Sequence, residues 1–264
     1  MQTLDLVGAE GVEFGHGVHL DTLTAGTGSR PALVLPGAER VQEDGPFVTA
    51  LTDEFSVVLP SHPGFGRSER PDWCNTVADL ADVYLAWLDR TDQTDVTLVG
   101  LQFGGWVALE IAVRGSTRIS QLVLVDTVGV KFGAPRDREI TDVFATIRAD
   151  VERLTYADPS RGLGPPEDAA IDDVLEVMRN EEALAVYGWE PYLHSPRLEQ
   201  SLSRIAVPTS VIWGTEDGIV SPPYGRAIAD RIPGAQFHQL DAAGHRAQVD
   251  RPTDVAALIT RSVA

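Results

Sequence analysis

The sequence is poor in cysteine and in lysine. Cys74 is the single cysteine among 264 residues, which excludes an intramolecular disulfide and a cysteine-rich zinc site. Lys131 is the single lysine, so arginine supplies every other permanently charged cationic side chain. The first residues contain no basic segment, and no stretch approaches the roughly 18 unbroken apolar residues of a membrane span. We therefore expect a cytoplasmic protein without a signal peptide or a membrane partner.

The chain carries a strong excess of negative charge. Its 39 acidic residues outnumber 21 lysines and arginines, which gives a formal net charge of −18 at pH 7. An acidic surface repels nucleic acid, so we expect no nucleic-acid partner. Hydrophobic residues make up 43% and charged residues 23% of the chain, values typical of a globular protein with a large core.

Largely apolar segments recur along the chain and end at turn residues. Rough alternation at 12–14 and 19–23 predicts a first pair of antiparallel strands. Later runs are typical of parallel strands buried on both faces, namely 31–35, 55–59, 96–99, 122–125 and 210–213. Helical patterns lie between these runs, for example at 75–89 and 104–113. The alternation predicts an α/β fold with a doubly wound, mostly parallel sheet.

One long segment, residues 131–203, has no clear strand pattern. Its helical patterns cover residues 140–154, 168–177 and 181–187. Because the segment lies between two predicted strands, we predict a helical cap over the C-terminal edge of the sheet, where ligands bind in such folds. The predicted core then consists of residues 1–130 and 204–264.

A glycine-framed turn follows the apolar run at 96–99. Residues 99–106 read VGLQFGGW, and Gln102 stands where a strand ends and a helix begins. This is the frame of a nucleophile elbow, a sharp turn that holds one side chain up in an active site. The glycines relieve the crowding around such a strained residue.

With this motif the chain resembles the α/β-hydrolase family, in particular its cap-bearing members that act on small molecules. Further segments are similar to the family's loops: LPGA at 35–38 to the oxyanion loop, PSHPGFGRS at 60–68 to the loop after the next strand, WGTEDGIV at 213–220 to the acid loop, and AGH at 243–245 with RP at 251–252 to the histidine loop. The order of elbow, acid and histidine is the family's order. The resemblance covers nearly the whole chain and implies the α/β-hydrolase fold.

The resemblance also implies roles for individual residues. It places the catalytic histidine at His245 and the acid that orients it at Asp217. The backbone N–H groups of Phe103 and Ala38 become the oxyanion donors, and Gly37 belongs to the same loop.

Two other acids remain alternatives to the one assigned by the motif. Glu216 adjoins it, and Asp126 ends the strand after the elbow helix, where some family members carry the acid. Trp106 and Tyr187 complete the predicted substrate-binding residues, with core packing as the alternative for Trp106. For His62 we expect a structural role in its loop.

The chain departs from the family at the nucleophile itself. The family carries serine, or sometimes aspartate or cysteine, where this chain has Gln102. A histidine cannot activate an amide by taking a proton from it, so we expect no covalent intermediate to form at this position. An amide still offers two donors and one acceptor. We predict that Gln102 fixes a substrate oxygen or a water while His245 moves a proton.

The predicted function is that of a cofactor-free enzyme acting on a small apolar or aromatic metabolite, a class that includes polyketide-like molecules. Its reaction is water addition, cyclisation, elimination or C–C cleavage. Two alternatives stay open: a non-catalytic ligand-binding protein, and an ester or C–C hydrolase inactivated by loss of serine at position 102. No metal-ligand spacing and no nucleotide-binding motif is present, so we expect neither a metal nor a cofactor. The expected partners are a small-molecule substrate and, at most, a second copy in a homodimer.

Overall fold

A computed structural model describes residues 7–39, 45–134, 136–161 and 170–261. The strands in these ranges are β1 (Val7–Gly15), β2 (Val18–Ala25), β3 (Arg30–Leu35), β4 (Phe55–Pro60), β5 (Val96–Leu101), β6 (Ile119–Val125), β7 (Thr209–Gly214) and β8 (Gln236–Leu240). They form one sheet in the order β1-β2-β4-β3-β5-β6-β7-β8. β2 is antiparallel to β1 and β4, and the other neighbouring strands are parallel. The predicted mostly parallel α/β sheet is therefore confirmed.

The helices that connect the strands follow in chain order. They are α1 (Gly45–Leu51), α2 (Val77–Arg90), α3 (Phe103–Arg114), α4 (Arg148–Thr155), α5 (Ile171–Gly188), α6 (Leu198–Ser201), α7 (Pro222–Arg231), α8 (Ala247–Asp250) and α9 (Pro252–Arg261). Local chemistry sets their ends: Thr76 and Asp79 form a capping box that begins α2. Among the described helices, none combines the length and the apolar character needed to cross a membrane.

The sheet separates two apolar layers because successive strand side chains point to opposite faces. Leu98 packs in one layer with Leu80 of α2 and Val107 of α3. Its neighbour Val99 packs in the other layer, with residues of α1, α8 and α9 such as Val255. Covering both faces explains why the central strands are apolar without alternation.

The inserted segment 131–203 carries α4, α5 and α6 between β6 and β7, and its described residues contribute no strand to the sheet. A helix predicted over 140–154 begins at Arg148 in the structure. The reason is tertiary: Ile140 forms a bridge with Val220, and Thr141 N–H donates to Ile219 O. The patterns at 168–177 and 181–187 belong to the single helix α5, while residues 168–169 lie outside the described ranges.

The edge strand β8 is absent from the predicted set. Its sequence, QFHQL, has exposed and half-buried positions, none of them fully buried, and no apolar run. An edge strand pairs on one side alone and packs less of its surface, so its composition resembles that of a loop.

We predict that Gly104→Ala destabilises the protein by about 1–3 kcal/mol, the usual cost of overpacking. A Cβ on Gly104 would lie 2.2 Å from Leu35 O and 2.3 Å from Pro36 O, which are backbone atoms that cannot move aside. Urea unfolding gives the change in free energy. Gly45→Ala is the matched control, because a Cβ there meets nothing within 4 Å. Equal stability of Gly104→Ala and the parent protein would contradict this view of the turn.

Candidate active site

Gln102 forms the sharp turn between β5 and α3. Its φ of 45° and ψ of −108° are strained values for a residue with a side chain. The backbone is tied in place: Gln102 N–H donates to Val125 O at 2.9 Å, and its carbonyl accepts from Gly105 N–H at 3.1 Å. The strand–turn–helix geometry expected from the glycine frame is therefore present, and it holds a side chain that is 3% exposed.

The side-chain amide of Gln102 pairs with the amide of Gln248. Gln102 Nε2 donates to Gln248 Oε1 at 3.0 Å, and Gln248 Nε2 donates back to Gln102 Oε1 at 3.1 Å. Gln102 Nε2 also lies 3.5 Å from Val125 O. The amide is thus engaged by the protein itself, whereas the sequence led us to expect it to be presented to a ligand. No sequence motif pointed to Gln248, which sits in α8 shortly after the histidine loop.

His245 and Asp217 form a hydrogen-bonded pair. His245 Nδ1 lies 2.9 Å from Asp217 Oδ2, and the exposed fractions of the two side chains are 9% and 0%. The other oxygen of Asp217 accepts from the N–H groups of Ile219 at 2.9 Å and Val220 at 2.8 Å. These bonds fix the carboxylate, which in turn holds the proton on Nδ1 and leaves Nε2 as the basic nitrogen of the imidazole.

Asp126, one alternative acid, has a different task. Its Oδ1 accepts from Gly214 N–H at 2.8 Å and its Oδ2 from Ala247 N–H at 2.9 Å, so it ties β7 to α8. Complete burial, and next the negative charge of Asp217, raises the pKa of Asp126 well above its usual range. Glu216, the other alternative, is exposed. The structure therefore brings Asp217, and neither alternative, to the histidine.

A cavity of about 470 Å³ opens over the elbow, and both Gln102 and His245 line it. Its volume lies in the range of small-molecule sites. The inserted segment contributes apolar walls, which include Val143, Phe144, Val151, Leu184 and Leu193. A ligand in this cavity would contact mainly hydrocarbon and meet the imidazole at one end.

The predicted oxyanion residues lie together at that end. Ala38 and Phe103 line the cavity. The N–H of Phe103 is the first of α3 and so has no acceptor within the helix. Gly37 adjoins the elbow, since a Cβ on it would lie 3.0 Å from Gln102 Oε1.

Trp106 and Tyr187, also predicted to bind substrate, are not among the residues that line the cavity. The Trp106 ring packs edge-on against Phe103, with centroids 6.1 Å apart. Tyr187 OH donates to Pro63 O at 2.9 Å, and burial raises its pKa. The two residues therefore pack inside the protein, because nearby backbone and aromatic groups take up their side chains.

His62 supports the oxyanion loop from behind. Its Nε2 lies 3.0 Å from Pro36 O, and its Nδ1 lies 2.6 Å from Tyr84 Oη. A carbonyl oxygen accepts hydrogen bonds and cannot donate them, so Nε2 of His62 carries the proton. Nδ1 then accepts a hydrogen bond from the tyrosine hydroxyl. Complete burial lowers the pKa of His62 to about 4, which keeps the ring neutral. These contacts agree with the structural role expected for His62.

Within the described ranges, no group of three or more histidine, cysteine, aspartate or glutamate side chains is placed to hold a metal ion. The groups described at the elbow end of the cavity include the imidazole of His245, its carboxylate partner Asp217 and the backbone N–H of Phe103.

Comparison with known proteins shows which family the chain resembles along most of its length. The model of the alpha/beta hydrolase family matches residues 32–258. The chain is 27% identical over 252 residues to 2-hydroxymuconate semialdehyde hydrolase of Pseudomonas putida, covering 89% of this chain and 87% of that protein. It is 26% identical over 240 residues to 2-hydroxy-6-oxo-2,4-heptadienoate hydrolase of Pseudomonas putida strain F1, covering 80% of this chain and 83% of that protein.

A solved structure shows the same fold. A variant of the meta-cleavage product hydrolase CumD from Pseudomonas fluorescens IP01 matches with a TM-score of 0.78 at 20% identity, over 97% of each chain. At this identity the likeness establishes the fold alone. The α/β-hydrolase fold expected from the sequence motifs is confirmed.

We predict that His62 makes the protein less stable as the pH falls from about 6.5 to about 4. The folded state holds its pKa near 4 and the unfolded state near 6.5, so the unfolded chain takes up the proton first. The loss approaches about 3 kcal/mol over that window. Unfolding by urea at several pH values measures it. His62→Gln should flatten the dependence, whereas His19→Gln, at an exposed position, should not. Parallel curves for His62→Gln and the parent protein would contradict the prediction.

Proposed function

Because the chain belongs to the alpha/beta hydrolase family, we propose that it is a cofactor-free enzyme that moves protons at His245 on a small apolar or aromatic molecule. The observation that carries the proposal is the paired His245 and Asp217, 2.9 Å apart, at one end of a largely apolar cavity. The relatives named as hydrolases of 2-hydroxymuconate semialdehyde and 2-hydroxy-6-oxo-2,4-heptadienoate support a small unsaturated carbonyl compound as substrate.

In the proposed mechanism His245 is a general base. Asp217 accepts from Nδ1–H and stabilises the imidazolium that forms when Nε2 takes up a proton. The N–H groups of Phe103 and Ala38 donate to the oxyanion that develops on the substrate. In known enzymes the loss of one such donor costs about 2.7–4 kcal/mol, so these backbone groups supply a substantial part of the catalysis.

Water, rather than a side chain, is the proposed nucleophile. His245 takes a proton from water while the oxygen bonds to a substrate carbonyl carbon, which forms a tetrahedral oxyanion. When the oxyanion collapses, the C–C or C–O bond breaks, and the imidazolium returns the proton to the leaving atom. Gln102, held by Gln248, forms a polar wall beside this centre and takes no part in bond formation. Cyclisation or elimination would use the same proton transfers.

We assign residues 131–203 the role of a cap. Helices α4 and α5 supply cavity walls, and Asn180 Oδ1 accepts from Gly66 N–H at 2.7 Å, which ties α5 to a core loop. The cap then selects the substrate, while the core supplies the chemistry. We further propose cytoplasmic action on a small molecule, alone or as a homodimer, with no nucleic-acid partner because the chain is so acidic.

A second candidate function is non-catalytic ligand binding. One observation favours it: the residue at the elbow is satisfied by Gln248 and cannot attack a ligand. A binding protein would hold its ligand without turnover and would be indifferent to loss of the Asp217 carboxylate. Catalysis, in contrast, requires that carboxylate to keep the imidazole in the correct tautomer.

We predict that the protein consumes 2-hydroxymuconate semialdehyde and that His245→Ala lowers kcat by at least about a hundredfold, as expected for a general base. Asp217→Asn should also lower kcat, because an amide can hold the wrong tautomer. Absorbance of the substrate measures turnover, and calorimetry measures binding. His194→Ala is the control, since His194 Nδ1 bonds to Tyr192 O within the inserted segment. Full activity in His245→Ala would refute the mechanism, and tight binding without turnover would favour the second candidate.

We predict that Gln102→Ser gains hydrolysis of 4-nitrophenyl acetate by at least about tenfold. Serine at the strained turn would provide the hydroxyl that a neighbouring imidazole can activate. The gain should disappear in the double variant Gln102→Ser with His245→Ala. Gln102→Ala is the matched control, because it removes the amide without adding a nucleophile. An equal gain in the alanine variant would show that the ester is cleaved without a nucleophile at the elbow.

A further inference from the structure

Glu39 places a carboxylate at the elbow end of the cavity. It follows the oxyanion loop and lines the cavity with Gln102 and His245. A Cβ added to Gly37 would lie 2.5 Å from Glu39 Oε2 and 3.0 Å from Gln102 Oε1, so both oxygens lie close to the same position. The carboxylate is therefore close to the elbow amide and belongs to the same end of the cavity as the imidazole.

The oxygen Glu39 Oε2 is buried, and within the described ranges it has no hydrogen-bond partner. Arg246 Nε lies 3.8 Å away, which is too far for a hydrogen bond but close enough for attraction between the charges. This oxygen is closed to a ligand, but the Glu39 side chain as a whole is 36% exposed, so its carboxylate can be reached from the cavity that it lines. A ligand hydroxyl that donates to the accessible part of the carboxylate would add a hydrogen bond to a charged acceptor.

The charge around Glu39 indicates which donor fits. Arg246 is completely buried, and its Nη1 donates to Tyr156 Oη at 2.9 Å. Since Arg246 directly follows His245 in the chain, its positive charge is fixed beside the reactive end of the cavity. This cation offsets the carboxylate, so a second cation would gain little there, whereas a neutral donor meets no opposing charge.

The other carboxylates that line the cavity lie farther from the elbow, in the inserted segment. Glu152 Oε1 is 3.1 Å from Arg148 Nε, and the Glu181 side chain is 67% exposed, so water reaches it. Glu39 is therefore the carboxylate placed at the elbow end to accept from a ligand that is otherwise hydrophobic.

We propose that the Glu39 carboxylate anchors the hydroxyl group of a hydroxylated substrate by accepting a hydrogen bond from it. The inference rests on the proposed function, because it takes the cavity as the substrate site. It narrows the substrate class to molecules that combine an apolar body with an alcohol, phenol or enol. Glu39 then determines specificity, and the bond places the rest of the molecule under His245.

The test compares the binding of 2-naphthol, which can donate, with that of 2-methoxynaphthalene, which cannot. Isothermal titration calorimetry gives Kd for both ligands with the parent protein and with Glu39→Ala. We expect the parent protein to prefer 2-naphthol by at least about tenfold, the strength of a hydrogen bond to a charged acceptor. In Glu39→Ala the two ligands should bind within about twofold of each other. The ratio of the two Kd values in the parent protein is compared with the same ratio in the variant, so the difference in size between the two ligands affects both ratios alike and cancels.

Two further variants control the test. Glu39→Gln keeps the size of the side chain and should also lower the preference, because a neutral acceptor bonds more weakly than a carboxylate. Glu152→Gln removes another cavity carboxylate, one already paired with Arg148, and should keep the preference. A loss of preference confined to the Glu39 variants supports the anchor.

Two outcomes overturn the inference while leaving the proposed substrate class intact. The first is equal binding of the two ligands by the parent protein, and the second is a preference for 2-naphthol that survives in both Glu39 variants. If neither ligand binds the parent protein, both the anchor and the aromatic substrate class fail. The three outcomes are distinguished by the same titrations.

Discussion

The tight turn between β5 and α3 is the constraint on which the site depends. The chain must leave a buried strand and enter a helix within one residue, so Gln102 takes a φ of 45° and positions 100, 104 and 105 around the turn have room for glycine alone. A Cβ on Gly100 would lie 2.5 Å from the Cα of Gly105. Packing of the surrounding sheet offsets the energy of this strained backbone. The turn in consequence holds one side chain at the floor of the cavity.

Around this turn, buried carboxylates fix the loops that carry the chemistry. Asp126 binds backbone N–H groups of β7 and α8, and Asp250 Oδ2 accepts from Gly244 N–H at 2.8 Å beside the histidine. Asp217 is bound by two backbone N–H groups and so presents its other oxygen to His245. The imidazole is thus positioned by a layer of acids that are themselves held by the backbone. This positioning is what the proposed proton transfer at His245 requires.

The replacement at the elbow changes the kind of chemistry more than the architecture. The amide at position 102 is hydrogen-bonded to Gln248, and the imidazole of His245 and the carboxylate of Glu39 line the cavity beside it. The proposed chemistry is therefore binding and proton transfer rather than covalent catalysis. It depends on two features at this end of the cavity, an imidazole held by Asp217 and a carboxylate beside Arg246.

The sequence by itself determined the elbow and strands β1 to β7 of the sheet, since these follow from short-range patterns of apolar residues and glycine, and the order of elbow, acid and histidine followed from the resemblance of its loops to those of the family. It missed β8, whose edge position leaves no apolar run, and it began α4 too early, because a bridge to Val220 occupies the backbone at Ile140. The tertiary structure decided the contacts between distant residues. The choice of Asp217 over Asp126, the pairing of Gln102 with Gln248 across 146 positions, and the approach of Arg246 to Glu39 all depend on which side chains the folded chain brings together. No local pattern encodes such distances, because a side chain finds its partner after the sheet and the loops have been assembled.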